Sequence, residues 1–180
     1  MTGLNLSKDE IIEVACILTD ANLSHVIKGP NLVINAPLNI MNSMDEWCTK
    51  HHAASGLTEK VLASTTTCQE AQEIILEFLK KHVPEPKKAI LAGNSVHVDR
   101  QFLCKHMPTL IDYLHYRIVD VSTIKELAAA WYPDINVPKK KMTHRALDDI
   151  EESIKELKFY RKTIFKKNDA FGKIFQAINK

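Results

Sequence analysis

Two segments place an imidazole near a carboxylate where the chain passes from a loop or strand into a helix. One runs from Ala92 through Asn94, Ser95 and His97 to Asp99; the other runs from Met142 through His144 to Asp148 and Asp149. Such junctions are where side chains from separate elements converge on a metal or substrate. Asp99 and Asp149 brought into one pocket would repel each other, and a hard divalent cation with oxygen ligands, Mg2+ or Mn2+, relieves that repulsion. An aspartate in a first helical turn is also what the macrodipole favours, so each carboxylate alone has a purely structural explanation. His144 precedes Asp149 by five residues, about 140° apart on a regular helix. The two meet only if His144 stays in the loop or cap, and helical spacing by itself favours Asp148.

The elements that must carry these segments can be read from pattern. Ile11 to Leu18 is a β-branched run that predicts a buried strand, and Ser24 to Lys28 with Asn31 to Asn35 predicts an antiparallel meander across Gly29-Pro30. Ser43-Met44-Asp45-Glu46 has the form of a capping box ahead of a short helix from Trp47 to Ala54, stopped by Gly56. Thr67-Cys68-Gln69-Glu70 repeats that form before Ala71, Ile74, Ile75, Phe78 and Leu79, a stripe at helical spacing. Lys88 to Gly93 predicts a strand, Val98 to Met107 a helix ended by Pro108, Arg117 to Val121 a strand, and Thr123 to Trp131 a helix. Strand, helix, strand, helix implies a parallel crossover. A long helix beginning near Thr143 shows Ile150, Ile154, Leu157 and Ile164 on one side. The fold class is therefore α/β, a mixed sheet with flanking helices.

At 180 residues and 45% apolar content the chain can bury one full core. Its net charge of +2 predicts no particular partner. Residues 139 to 180 nevertheless carry 12 basic and 6 acidic side chains, so the final quarter is locally basic. That can meet a phosphate backbone or simply be a solvated helix face. Cys16, Cys48, Cys68 and Cys104 are widely spaced and suggest neither a disulfide framework nor a zinc site. Lys8, Asp9 and Glu10 interrupt the first apolar stretch, so no signal peptide and no membrane partner are expected.

Several motifs, in order and covering the chain to about Lys167, resemble the oligoribonucleases. They are Met1-Thr2-Gly3-Leu4, Trp47 to His52 with Ser55-Gly56-Leu57-Thr58, Gly93-Asn94-Ser95 to Asp99, His115 to Thr123, and His144 to Asp149. The resemblance implies a ribonuclease H-like mixed sheet and a 3′ to 5′ exoribonuclease that degrades short single-stranded RNA to mononucleotides by two-metal hydrolysis with Mg2+ or Mn2+. It implies an exonuclease domain over residues 1–167 and a C-terminal tail over 168–180. By the same resemblance Asp99 and Asp149 are metal ligands and His144 is the general base, a role that suits a group titrating near neutrality. Leu4 becomes a wedge against the terminal bases and Trp47 a stacking platform. Ser95 and His52 grip the terminal nucleotide and phosphate, and Tyr116 and Arg117 act across the interface of a homodimer. Without the family, Leu4 and Trp47 read as ordinary packing and Tyr116 as a strand-edge aromatic.

In one respect the chain departs from the pattern. The family carries an Asp-x-Glu at the end of its first strand, directly before the Met-Thr-Gly-Leu run. The expectation is that this strand and its two carboxylates are missing from the 180 residues, because Glu13 lies within the next strand and cannot replace them. A second function is kept beside the first: a catalytically impaired relative that still binds oligonucleotides. The compartment expected is cytoplasmic or mitochondrial.

Overall fold

The computed structural model describes residues 1–138 and 145–165. His144, the lysine run at 139–141 and the proposed tail at 168–180 lie outside the described residues. The chain begins its regular structure with β1 (Glu13–Thr19) and β2 (Val26–Val33), paired antiparallel. Asp20 closes the hairpin, its carboxylate accepting from the amides of Ser24 and His25, which hold its pKa well below the ordinary range. β2 runs straight through Gly29-Pro30 as one strand. The register slips between Ala15 and Ile17 where they face Asn31 and Lys28, so Cys16 stands opposite Gly29 and Pro30 together. That bulge is where a proline without an N–H is tolerated. A Cβ on Gly29 would also collide with Cys16 and the Phe78 ring.

Four helices follow: α1 (Leu38–Asn42), α2 (Glu46–Ala54), α3 (Leu57–Ala63) and α4 (Cys68–His82). α2 is capped by Asp45, whose carboxylate accepts from the Cys48 amide, and not by Ser43 as its spacing suggested. Gly56, expected only as a stop, adopts a left-handed φ of 67° and forms the N-cap of α3. α4 carries the predicted capping box, with Thr67 and Glu70 bonding reciprocally. Its buried face is Ala71, Gln72, Ile75, Leu76 and Leu79, while Ile74 is exposed.

The second half contains β3 (Leu91–Gly93), α5 (Val96–His106), α6 (Pro108–Tyr113), β4 (Ile118–Asp120), α7 (Val121–Trp131) and α8 (Ala146–Thr163). β3 and β4 pair in parallel, the crossover that the pattern predicted. Pro108 both ends α5 and starts α6, where a missing N–H costs nothing because the first amides of a helix have no partner within it. Asp120 caps α7, which begins at Val121, two residues before the expected Thr123. The main core packs α4, α5 and α6 on the β1–β2 hairpin through Ile11, Ile34, Ala71, Ile75, Phe102 and Met107. The described strands form two pairs, β1–β2 and β3–β4, that are not hydrogen-bonded to one another. Mixed pairing with flanking helices is consistent with a ribonuclease H-like exonuclease fold.

α8 differs most from its sequence reading. Ile150, Ile154 and Leu157 are only partly covered, and the residues buried on this helix are Ser153, Glu156 and Tyr160. Polar groups can be buried there because each finds a partner: Tyr160 donates to Glu156 at 3.0 Å, and Ser153 donates to the Asp149 carbonyl at 2.8 Å.

Candidate active site

A cavity of about 820 Å³ opens between the two strand pairs, lined by Val14 and Ala15 of β1 and by Leu91, Ala92 and Gly93 of β3. Its rim and walls bring together Leu4, Trp47, His52, Asp99 and Asp149, five of the residues singled out above. Each is held by local structure.

Leu4 is 76% exposed, on a loop anchored by the buried carboxylate of Asp9. Asp9 accepts from the Thr2 hydroxyl at 3.1 Å and the Asn5 amide at 2.8 Å. Gly3 sits so tightly on this carboxylate that a Cβ would run into it. The loop thus presents an apolar side chain to solvent while its own polar groups are satisfied. Trp47, 55% exposed in the first turn of α2, lies parallel to the His51 ring at 4.0 Å between centroids. His51 Nδ1 donates to the Trp47 carbonyl at 2.7 Å, which fixes the ring beneath the indole. His52, one residue on, is buried, and its Nε2 lies 2.9 Å from the Met1 carbonyl. A carbonyl only accepts, so this nitrogen carries a proton.

The same lining carries carboxylates. Asp99 lies in the first turn of α5, reached by solvent through the open cavity but surrounded by protein, and the resulting desolvation raises its pKa above the ordinary carboxylate range. Asp149 lies in the first turn of α8 and is exposed to the cavity. Glu152 lines the same cavity. These donors are all hard oxygens, and a cation would favour the ionised form that burial disfavours at Asp99, so the chemistry of the set fits Mg2+ or Mn2+. Among the described residues no group of three or more His, Cys, Asp or Glu is gathered closely enough to hold a metal ion.

Glu13 does something the sequence did not suggest. Its nearly buried carboxylate takes a two-pronged contact from Arg145, at 2.6 Å from Nη2 and 3.0 Å from Nε, and accepts from the Ala146 amide at 3.1 Å. It therefore caps α8 from β1, a helix whose own N-cap, Arg145, supplies no side-chain bond. The two residues are 132 positions apart, a separation at which no local spacing signal exists.

Ser95, Tyr116 and Arg117 are not among the residues lining the cavity. Ser95 caps α5 at a φ of 51°, a left-handed conformation uncommon for serine, and its amide donates to Asp120 Oδ1 and Ser122 Oγ, both at 2.9 Å. Partial burial pushes the Asp120 carboxyl up, but the His97 imidazole at 3.0 Å and the amides of Ser122 and Ser95 outweigh it, and its pKa is lowered. Tyr116 is 68% exposed, stacked on His115, with the Arg117 guanidinium 5.3 Å from its ring centre.

Cys48 also lines the cavity, and burial, reinforced by Asp45, pushes its thiol to about 11; burial alone does the same for Cys16. The fold thus keeps both protonated above the unfolded pKa of ~8.5. Their favourable contribution is complete below that pH and lost as pH rises through about 11. With iodoacetamide at pH 8, exposed Cys104 is expected to be alkylated well before Cys48 and Cys16. Mass mapping of the modified peptides checks this, and equal rates at Cys48 and Cys104 would contradict the assignment.

Residues 1–157 match the family described as Exonuclease. The chain is 54% identical over 169 residues to the mitochondrial oligoribonuclease of Mus musculus, covering 93% of this chain and 71% of that protein. It is 56% identical over 168 residues to a probable oligoribonuclease of Dictyostelium discoideum, covering 92% and 87% of the two chains. To the oligoribonuclease of Marinobacter nauticus it is 50% identical over 167 residues, 92% of each.

Proposed function

The chain belongs to the oligoribonucleases within the exonuclease family and is a 3′ to 5′ exoribonuclease, and from this premise we propose that its substrates are short single-stranded RNAs, hydrolysed to mononucleotides at the cavity between β1 and β3. The observation that carries this is the meeting of Leu4, Trp47 and His52 with Asp99 and Asp149 around one opening. An apolar wedge and an aromatic face hold unpaired bases with little sequence preference. In the same lining, Asp99 and Asp149 would hold Mg2+ or Mn2+, two ions in the mechanism that the family resemblance implies. When bound, such ions neutralise charge on the scissile phosphate. His144, assigned by the family resemblance, takes the proton of the attacking water as general base. His52 lines the cavity and contacts the terminal nucleotide, while Ser95, assigned with it by the family resemblance, stands beside the lining residues Asn94 and Val96 rather than among them.

Following the family resemblance, we assign Tyr116 and Arg117, exposed and outside the cavity lining, to the site of a second copy, with a homodimer as the working unit. Three of the relatives are named as mitochondrial, and we place the protein in that compartment.

The test is turnover of a labelled RNA dinucleotide with Mg2+ or Mn2+. Release of mononucleotide, with far slower attack on long DNA, supports the reading. Tight binding without cleavage overturns it in favour of a catalytically impaired oligonucleotide-binding relative.

A further inference from the structure

We propose that Asn94 is a positioning residue that sets helix α8 against the β3–α5 junction and thereby holds Asp149 facing Asp99. The proposal rests on the reading of those two aspartates as the cation-binding pair. Asn94 follows β3 directly and lines the cavity. Its side-chain amide donates to Ser153 Oγ at 2.7 Å and to Glu156 Oε2 at 3.2 Å, both on the buried face of α8. Its carbonyl accepts from Ser122 Oγ of α7 at 3.2 Å. One side chain thus ties together three elements, and all of its hydrogen-bonding groups are used in doing so.

The chain of contacts leads to Asp149 itself. Ser153, which receives the Asn94 amide, donates to the Asp149 backbone carbonyl at 2.8 Å. Glu156 is fixed from its other oxygen by Tyr160 at 3.0 Å, a fully buried hydroxyl. At the opposite end Glu13 holds Arg145 and the Ala146 amide. Asp149 lies between these two anchors, about one turn from each. Apolar contacts alone leave a helix free to slide or rotate by fractions of a turn, whereas directional bonds on both sides of Asp149 do not. Because Asn94 and Asp99 flank the same β3–α5 corner, the tie relates the two carboxylates to each other and not merely α8 to the core.

The experiment uses the full chain, with Mn2+ binding measured by calorimetry, kcat and KM measured on an RNA dinucleotide, and folding checked by thermal unfolding. Asn94→Asp turns a donor into a carboxylate facing Glu156. It is expected to weaken Mn2+ binding at least tenfold and to lower kcat, with KM changed less than threefold, because Leu4, Trp47 and His52 are held by other elements. Adding Glu156→Gln restores a donor to the pair and is expected to recover most of both losses, which a generally damaged fold would not do. Ser153→Ala, a gentler change for the case in which Asn94→Asp fails to fold, is expected to weaken Mn2+ binding severalfold.

Unaltered Mn2+ binding in a folded Asn94→Asp or Ser153→Ala chain overturns the role of Asn94. So does a folded Asn94→Asp chain that Glu156→Gln fails to rescue. Undiminished Mn2+ binding in Asp99→Ala and Asp149→Ala controls instead overturns the reading of the pair, and the proposal with it.

Discussion

Asp149→Ala is expected to lower kcat on a short RNA by about 10³–10⁴-fold, the scale on which single members of a coupled catalytic constellation act. The expectation follows from where Asp149 sits. It faces the cavity from the first turn of α8, and it is not one of that helix's buried residues, which are Ser153, Glu156 and Tyr160. Removing the carboxylate deletes no core volume. The favourable interaction with the helix N-terminus that goes with it is worth about 0.3–1 kcal/mol. Activity and stability should therefore separate, with turnover nearly abolished and thermal unfolding displaced by only a few degrees. Single-turnover assays on a dinucleotide with saturating Mn2+, beside a calorimetric scan, measure both. Residual activity within tenfold of the unaltered chain would remove Asp149 from the machinery and return attention to Asp148, which helical spacing alone pairs better with His144.

Phe102→Ala has the opposite profile, a large loss of stability of about 3–5 kcal/mol. Phe102 is 1% exposed in the main core, beside Leu103, Met107 and Leu110, and its ring lies parallel to His106. The close packing around it cannot collapse without moving α5 against α4 and the β hairpin. For a domain of this size the loss corresponds to a fall in melting temperature of about 6–20 °C. Since α5 also carries Asp99, activity should fall at temperatures where the folded fraction is still high. Denaturant unfolding gives the free energy directly, and a loss below about 1 kcal/mol would show that the site collapses around the truncated side chain.

Local chemistry explains which parts of this fold were legible. The capping box at Thr67 and Glu70 and the period of the residues behind it define α4, because both signals lie within a few residues of each other. The parallel pairing of β3 and β4 follows from the order of strands and helices. The short helices α1, α3 and α6 were hidden, since Gly56 and Pro108 read equally well as ends or beginnings. The buried face of α8 does not follow the apolar pattern, because Ser153 and Glu156 turn inward to a partner on another element. For the site, Asp99 and Asp149 were visible as carboxylates at helix starts, but nothing in their spacing placed them around one cavity. Their assignment rested on motif resemblance. In the sequence Glu13 is a strand residue like its neighbours, and its pairing with Arg145 exists only where the fold brings β1 and α8 together.

That long-range pairing bears on how the chain is assembled during synthesis. β1 leaves the ribosome more than a hundred residues before α8, and three contacts, Glu13 with Arg145, Lys28 with Glu151 and Asn22 with Arg161, span 123 to 139 positions. Until α8 arrives, the Glu13 carboxylate has no guanidinium to receive it, and burying it alone would cost several kcal/mol. The Glu13 side of the N-terminal hairpin is thus expected to stay hydrated until α8 arrives. α8 thus closes onto a strand made more than a hundred residues earlier, and Asp149 joins Asp99 at the cavity only in that step.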